Sequence, residues 1–181
     1  MEQFLQVLAQ TEADLLLWIQ SMRGPVSDAF FVWYTQLGNA GLMWIVLSLA
    51  MVLFPRTRKT GLLALGALLL GFVCCNLTVK PLIARTRPWL VVEGLRALVE
   101  EHDPNSFPSG HTCAAFAAAG IWWRGLPRRW GVPVLILAAL MGVSRLYVGV
   151  HYLSDVLVGA LLGSVCAWVI WRIGCKKRCR P

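Results

Sequence analysis

Three short patches of the sequence contain side chains that can bind an anion, transfer a proton or attack an electrophile. They are Lys80 with Arg87 and Pro88; Pro108, Ser109, Gly110 and His111; and Ser144 and Arg145 with His151 and Asp155. Together they supply three cations, two imidazoles, a carboxylate and a small-residue turn. Cations pair with phosphate oxygens and an imidazole can act as base or nucleophile, so this combination indicates phosphate chemistry.

The third patch is the most informative. His151 and Asp155 are four residues apart at the predicted start of a helix, which places both side chains on one helix face. The carboxylate can accept a hydrogen bond from one ring nitrogen and leave the other nitrogen as a nucleophile with a free lone pair. A purely structural His–Asp pair at a membrane boundary is the alternative, but it does not explain Arg145 six residues before His151.

The other two patches each have a plainer explanation when taken alone. Lys80 and Arg87 lie at the end of an apolar segment, where long cationic side chains commonly reach for lipid headgroups. Ser109 can cap the helix that follows it. The free backbone N–H groups at that helix start, beginning with Gly110, can equally bind an anion. The three patches together favour an ionisable functional site at a membrane boundary.

The elements that must position these patches are membrane-spanning helices. The chain has 181 residues, of which 57% are hydrophobic, and the apolar residues form long blocks. The blocks cover residues 42–54, 61–82, 112–123, 132–148 and 153–173. The first block is short and can be extended by residues 29–37 across a glycine-containing break. The sequence therefore predicts an all-α, polytopic transmembrane helix bundle with about five crossings.

The positive residues predict the orientation of the bundle. Eleven of the seventeen Lys and Arg residues fall in three segments that alternate with the patches, namely Arg56, Arg58 and Lys59; Arg124, Arg128 and Arg129; and Arg172, Lys176, Lys177, Arg178 and Arg180. Positive loops stay in the cytoplasm, so we expect a cytoplasmic C-terminus and a site on the outer face of the cell (inner) membrane. The net charge of +8 then reflects topology and contact with the bilayer, and we expect no nucleic-acid partner.

Two segments do not read as crossings. Glu12 and Asp14 would be costly in hydrocarbon, so residues 1–28 are predicted to be an N-terminal interfacial segment with a helix on the outer side. Residues 89–107 mix apolar and acidic positions and are predicted to form a short helix on the outer surface that acts as a loop or lid. The whole chain, 1–181, is predicted to be one domain. Its six cysteines predict neither a disulfide nor a metal site.

The three patches resemble the signature of the type 2 phosphatidic acid phosphatases, integral-membrane lipid phosphatases related to glucose-6-phosphatase and vanadium haloperoxidases. That signature is Lys, six residues and Arg-Pro; Pro-Ser-Gly-His; and Ser-Arg, five residues, His, three residues and Asp. This chain matches every position of it in order. The family commonly has six crossings, so the resemblance leaves the N-terminal topology open.

The resemblance implies roles for each matching residue. His151 would attack phosphorus and form a phosphohistidine, Asp155 would orient His151, and His111 would protonate the leaving oxygen and then help to activate water. The phosphoryl oxygens would be surrounded by Lys80, Arg87, Ser109, Gly110 and Arg145. Such a cationic clamp stabilises transition-state charge without a divalent metal, so we expect no cofactor and no metal site.

The implied activity is that of a metal-independent lipid phosphatase in the cell envelope. The substrate would be a lipid phosphate, and we favour undecaprenyl diphosphate, hydrolysed to undecaprenyl phosphate, by analogy with the family. Phosphatidylglycerol phosphate and phosphatidic acid remain alternatives. A transporter or a non-catalytic membrane scaffold is the alternative from another class, although transporters usually place charges near mid-membrane.

Overall fold

The structure of the protein is a computed structural model, which describes residues 2–175. In that range the chain forms eight α-helices and one isolated β-bridge, between Thr86 and Asn105. The helices are α1 (Glu2–Ser21), α2 (Pro25–Leu37), α3 (Leu42–Leu53), α4 (Arg58–Phe72), α5 (Lys80–Ile83), α6 (Gly110–Gly125), α7 (Arg128–Tyr147) and α8 (Leu153–Gly174). Shorter helical turns lie at Asn39–Gly41 and Pro88–Leu90, and a π-helix at Val73–Val79 joins α4 to α5. The predicted all-α fold is confirmed.

Helix α6 is the centre of the bundle and packs against α4, α7 and α8. Its buried face consists largely of alanines, which let neighbouring backbones approach closely. The tightest approach is at Gly163 of α8, where a Cβ would lie 2.3 Å from the carbonyl oxygen of Cys113. Small residues thus bring α6 and α8, which carry two of the three patches, into direct contact.

Four segments are long and apolar enough to cross a membrane. Three are single helices and one is a pair bent by 50°: Arg58–Ile83, Arg128–Tyr147, Leu153–Gly174 and the pair Pro25–Leu37 with Asn39–Leu53. The bend lies at the predicted glycine-containing break, where Ala40 and Gly41 have positive φ. Helix α6 has only 16 residues, roughly 24 Å, so its crossing stays a prediction. The polytopic bundle is confirmed.

The N-terminal segment forms one helix that packs at the patch-bearing end. Helix α1 is not among the candidate spans, and its predicted interfacial position stays a prediction. Leu16 is buried against Leu146, Tyr152 and Val156. The predicted boundary at residue 28 is displaced, because α1 ends at Ser21 and α2 begins at Pro25.

The helix predicted within residues 89–107 is wrong. Apart from the turn at Pro88–Leu90, the segment is irregular. Three of its backbone N–H groups bond to other elements: Leu98 N–H donates to the Val148 carbonyl (3.0 Å), Arg96 N–H to the Gln20 side chain (2.7 Å) and Ser106 N–H to the Arg85 carbonyl (2.7 Å). These tertiary contacts override the helical spacing of its apolar residues.

Two of the positively charged loops lie at the end of the bundle opposite the patches. The Thr60 hydroxyl, at the start of α4, donates to the Gly125 carbonyl at the end of α6 over 3.3 Å. The cations of both loops, from Arg56 to Lys59 and from Arg124 to Arg129, therefore share one end. Lys176, Lys177, Arg178, Arg180 and the C-terminus lie outside the described residues.

Candidate active site

The three patches converge on one cavity of about 540 Å³. Its polar lining comprises Lys80, Arg87, Glu101, Asp103, Gly110, His111 and His151 with Asn76. Arg145 and Asp155 stand behind this lining, fully buried and bonded to it. Helices α5, α6, α7 and α8 each deliver residues to the same place, so the predicted site residues are brought together.

His151 lies in the turn between α7 and α8 and is only 2% exposed. Its Nε2 is 3.3 Å from Nη1 of Arg87, which can only donate, so Nε2 holds the lone pair. Burial lowers the pKa of His151 well below its ordinary value, and the three nearby cations lower it further. The ring is thus held neutral, with its lone pair directed to the cationic side of the cavity.

Asp155 is the partner of His151, although in a different arrangement from the one predicted. Helix α8 begins at Leu153, so His151 precedes the helix and the pair does not share a helix face. Nδ1 of His151 lies 3.4 Å from Oδ2 of Asp155, which also accepts from the Tyr152 N–H at 2.9 Å. The carboxylate is therefore anchored by the backbone of the turn that carries His151.

Arg87 and Arg145 form the buried cationic wall, at 1% and 0% exposed. Glu101 from the outer segment forms ion pairs with both guanidinium groups. Nε of Arg145 is buried and has no hydrogen-bond partner among the described residues. A carboxylate thus stands between the two arginines, in the position expected for phosphoryl oxygens, and one donor remains for a further acceptor.

Lys80 has a similar acidic partner. Its Nζ lies 2.8 Å from Oδ2 of Asp103, whose side chain is 42% exposed. Burial raises the pKa of Asp103, but the hydrogen bonds from Lys80 and from the Asn105 N–H, together with the charges of Lys80 and Arg87, keep that pKa below its ordinary value. The acidic residues of segment 89–107 are visible in the sequence, but the pairing of Glu101 and Asp103 with individual cations of the clamp was not predicted, because they are distant from those cations along the chain.

The start of α6 provides the other side of the cavity. Ser109 is buried and its Oγ accepts from the backbone N–H and the hydroxyl of Thr112, so it caps the helix. Its predicted contact with phosphate stays a prediction. At Gly110 a Cβ would lie 3.0 Å from the Asn76 side chain, which accounts for glycine there. Nε2 of His111 lies 3.0 Å from Oδ1 of Asn39, an acceptor, and so carries the proton.

Two residues that sequence reasoning did not select complete the charged network. Arg85 donates to Oδ1 of Asp155 (2.8 Å) and to Oε2 of Glu12 (2.7 Å). Glu12 is 4% exposed and belongs to α1. The one available signal was an acidic residue in the middle of an apolar N-terminal segment, which requires a buried partner.

The cavity continues as an apolar groove between α3 and α4. Its lining there consists of Ile45, Leu65, Leu68, Leu69 and Phe72. Leu69 and Phe72 are more than half exposed, so the groove opens on the lipid-facing side of the bundle. A cationic chamber and an apolar groove form one continuous space.

Proteins of known family are similar to this chain in sequence and in structure. A sequence profile of the PAP2 superfamily matches residues 41–179. An undecaprenyl-diphosphatase of Sulfolobus acidocaldarius is 32% identical over 122 residues, which cover 67% of this chain and 59% of that protein. The chain thus spans about three fifths of the length of that relative.

Two further similar proteins are matched over a larger share of their own length. A decaprenylphosphoryl-5-phosphoribose phosphatase of Mycobacterium tuberculosis is 33% identical over 140 residues, covering 76% of this chain and 75% of that protein. The crystal structure of a transmembrane PAP2-type phosphatidylglycerolphosphate phosphatase from Bacillus subtilis is 27% identical, with a TM-score of 0.79, and the match covers 96% of this chain and 90% of that one.

Proposed function

The chain belongs to the PAP2 superfamily, as its motifs indicated, and from this premise we propose that it is a lipid phosphatase. It would hydrolyse the phosphate or diphosphate of a membrane lipid at the outer membrane face, through a phosphohistidine intermediate. One observation carries the proposal: the cationic chamber around His151 opens directly into an apolar groove on the lipid-facing side. In that single space the headgroup phosphate would contact the cationic residues and the hydrocarbon tail would contact the apolar groove.

In the first step, Nε2 of His151 attacks phosphorus and the bond to the leaving oxygen breaks. Support comes from the neutral, desolvated ring and from the Nδ1 contact with Asp155, which holds the tautomer that leaves Nε2 unprotonated. His111 enters this step as an imidazolium, donates one proton to the leaving oxygen and becomes a neutral imidazole. In the free site its Nε2–H donates to Asn39. The products of this step are the dephosphorylated lipid and a phosphohistidine.

In the second step, water attacks the phosphohistidine, the N–P bond breaks and inorganic phosphate leaves. His111, now without its proton, accepts one from the water. Lys80, Arg87 and Arg145 would hold the three equatorial oxygens in both transition states, and Ser109 and the Gly110 N–H would donate further hydrogen bonds.

A divalent metal is not required by this scheme. Within residues 2–175 there is no group of three His, Cys, Asp or Glu side chains arranged to hold a metal ion. The role that Mg²⁺ has in many phosphotransferases is taken by the three side-chain cations. We therefore propose metal-independent catalysis.

The substrate we propose is undecaprenyl diphosphate, with undecaprenyl phosphate as product. Support comes from the relatives named for polyprenyl substrates and from the apolar groove, which suits a long hydrocarbon tail that has no hydrogen-bonding groups. Phosphatidylglycerol phosphate is the second candidate, because the transmembrane relative of known structure is named for it. Phosphatidic acid fits the same chamber and groove.

The test is release of inorganic phosphate by the purified protein, in EDTA, from undecaprenyl diphosphate, phosphatidylglycerol phosphate and phosphatidic acid. We expect release from at least one lipid, with the highest kcat/KM for undecaprenyl diphosphate. His151→Ala should abolish turnover, and Asp155→Asn should leave a small residual rate because only orientation and charge support are lost. His111→Ala should be severely impaired, least so with good leaving groups.

The third histidine of the chain, His102, is exposed and provides the matched control. His102→Ala should retain the wild-type rate. A folded His151→Ala protein with wild-type turnover, or activity that requires added Mg²⁺, would refute the mechanism. Lipid flux across vesicles without phosphate release would instead favour a transporter.

A further inference from the structure

A chain of ionic contacts runs from the candidate nucleophile to the N-terminal helix. His151 contacts Asp155, Asp155 accepts from Arg85, and Arg85 donates to Glu12. The second carboxylate oxygen of Glu12 accepts from the backbone N–H of Ser154 at 2.6 Å, in the first turn of α8 beside Asp155. Both ends of this series of contacts therefore meet at the start of α8.

The burial of these groups distinguishes the network from a surface ion pair. The side chains of Asp155 and Glu12 are 0% and 5% exposed, and that of Arg85 is 27% exposed. The guanidinium of Arg85 also lies 3.8 Å from the ring centroid of Tyr152, which fixes its plane. Arg85 is the ion-pair partner of both carboxylates, so its loss would leave two buried negative charges without compensation.

We infer that Arg85 and Glu12 are positioning residues for catalysis: Arg85 holds the Asp155 carboxylate ionised and oriented toward His151, and Glu12 holds Arg85. The inference rests on the proposed function, because it assigns a task to the His–Asp pair of that mechanism. It also makes α1, which precedes the region matched by the family profile, part of the catalytic apparatus.

This arrangement predicts an effect on turnover and little effect on substrate affinity. Neither Arg85 nor Glu12 lines the cavity, whose phosphate clamp is supplied by other residues. Without Arg85 the carboxylate of Asp155 keeps its bond from the Tyr152 N–H but loses the cation on Oδ1, so it takes up a proton more readily. A protonated Asp155 no longer holds the His151 tautomer that keeps Nε2 unprotonated. Substrate would still bind, but phosphoryl transfer would be slowed.

The experiment compares Arg85→Gln, Arg85→Lys and Glu12→Gln with wild type on the best lipid substrate. We expect Arg85→Gln to lower kcat about 10- to 100-fold with KM changed less than about threefold, the range typical of groups that orient a primary residue. Lysine keeps the charge but can serve only one carboxylate well, so Arg85→Lys should recover part of kcat. Glu12→Gln should lower kcat about 3- to 10-fold.

Two readouts separate positioning from general stability. If Glu12 acts through Arg85, the double variant should have the kcat of Arg85→Gln within about twofold. The acid limb of the kcat/KM profile should also move to higher pH in Arg85→Gln, because the Arg85 cation that opposes protonation of the His–Asp pair has been removed. The charged and titratable groups that face Asp155 are His151, Arg85, Arg87, Glu12 and Tyr152.

Asp14→Asn is the matched control, since Asp14 is exposed on the same helix and bonds only to Gln10 among the described residues. It should leave kcat unchanged. An Arg85→Gln protein that raises KM, or lowers kcat no more than Asp14→Asn, would overturn the inference. If Arg85→Gln does not fold, a Glu12→Gln protein with wild-type kcat would overturn it equally. A wild-type protein inactive on every lipid would instead mean that the proposed function has failed.

Discussion

At the scale of single residues, the site depends on keeping a buried imidazole neutral. His151 lies between a carboxylate and a guanidinium, and each neighbour has a distinct effect. Asp155 favours a proton on Nδ1, whereas Arg87 and burial disfavour a second proton on Nε2. If His151 is the nucleophile, as we propose, its surroundings favour the form that has a lone pair on Nε2.

This environment predicts the acid side of the pH profile. The pKa of His151 is lowered by burial and by the nearby cations, so its neutral form persists as the pH falls below the ordinary value of about 6.5. Activity should be retained through that value and be lost only as the pH falls through the depressed pKa. The measurement is the acid limb of kcat/KM against pH, which reports groups of the free enzyme.

The control for this prediction is the same profile of His111→Ala with a substrate that has a good leaving group. Its acid limb should coincide with that of the wild type, because the limb belongs to His151. A midpoint at or above about 6.5 in the wild type would contradict the assignment of a depressed pKa.

Much of the site could be predicted from residue types and spacing, while its acidic partners could not. Motif spacing located the clamp and both histidines, because helix ends at one membrane face meet in the folded bundle. Glu101, Glu12 and Asn39 were missed because each reaches its partner from a different element. Pairings between distant segments depend on packing geometry that periodicity does not contain.

At the scale of elements, the outer segment 89–107 places acidic side chains on the cations of the clamp. Glu101 bridges Arg87 and Arg145, and Asp103 binds Lys80. These carboxylates offset the electrostatic cost of burying cations in the free protein. If these cations bind phosphate as we propose, the carboxylates must leave before a phosphate can take their place, and the segment would compete with substrate.

This competition predicts tighter substrate binding when Glu101 is neutralised. Glu101→Gln should lower KM, and the inhibition constant of inorganic phosphate, by about 3- to 10-fold, because the binding-competent state becomes more populated. The variant should also have a lower Tm, since Arg87 and Arg145 lose a charged partner in the free protein. Steady-state kinetics and thermal unfolding measure the two effects.

Glu100→Gln is the matched control for this prediction, because Glu100 is the exposed neighbour with the same charge. Glu100→Gln should leave KM, the inhibition constant of inorganic phosphate and Tm unchanged. If Glu101→Gln raises KM, the carboxylate contributes to substrate binding instead of competing with it, and the interpretation of the segment is wrong.

The long helices were predicted correctly from the sequence, whereas the irregular structure of segment 89–107 was not, and each outcome has a physical reason. Long apolar blocks located α4, α7 and α8, because burial in lipid requires a continuous apolar surface. The outer segment has helix-like spacing, yet it is irregular because its backbone donors find acceptors on other elements. Hydrophobic periodicity indicates which side chains are buried. It does not indicate whether a backbone N–H will bond within its own segment or to another element.

At the scale of the whole molecule, charge is divided between the two ends of the bundle. The end with the cavity pairs its cations with acidic side chains of α1 and the outer segment. The opposite end carries the loops around Thr60 and Gly125, whose cations lie in segments without Asp or Glu. Loops rich in Lys and Arg favour the cytoplasmic face of a bilayer, so this division of charge predicts a cavity that faces outward.

This asymmetry predicts the orientation of the protein in the cell membrane. Reporter fusions after Lys59 and Arg129 should read as cytoplasmic, and a fusion after Glu93 in the outer segment should read as external. A fusion after Pro181 should also read as cytoplasmic if the five predicted crossings are all made. The physical reason is that moving a cluster of Lys and Arg across the membrane is costly.

A charge variant provides the control for this assignment. Replacing Arg56, Arg58 and Lys59 by glutamine should weaken the cytoplasmic signal at that loop, whereas replacing Glu93 and Glu100 by glutamine should not, because acidic residues contribute little to orientation. An external signal after Lys59 or Arg129 in the wild type would contradict an outward cavity. The lipid phosphate would then have to reach the site from the cytoplasmic leaflet, and substrates confined to the outer leaflet would no longer be candidates.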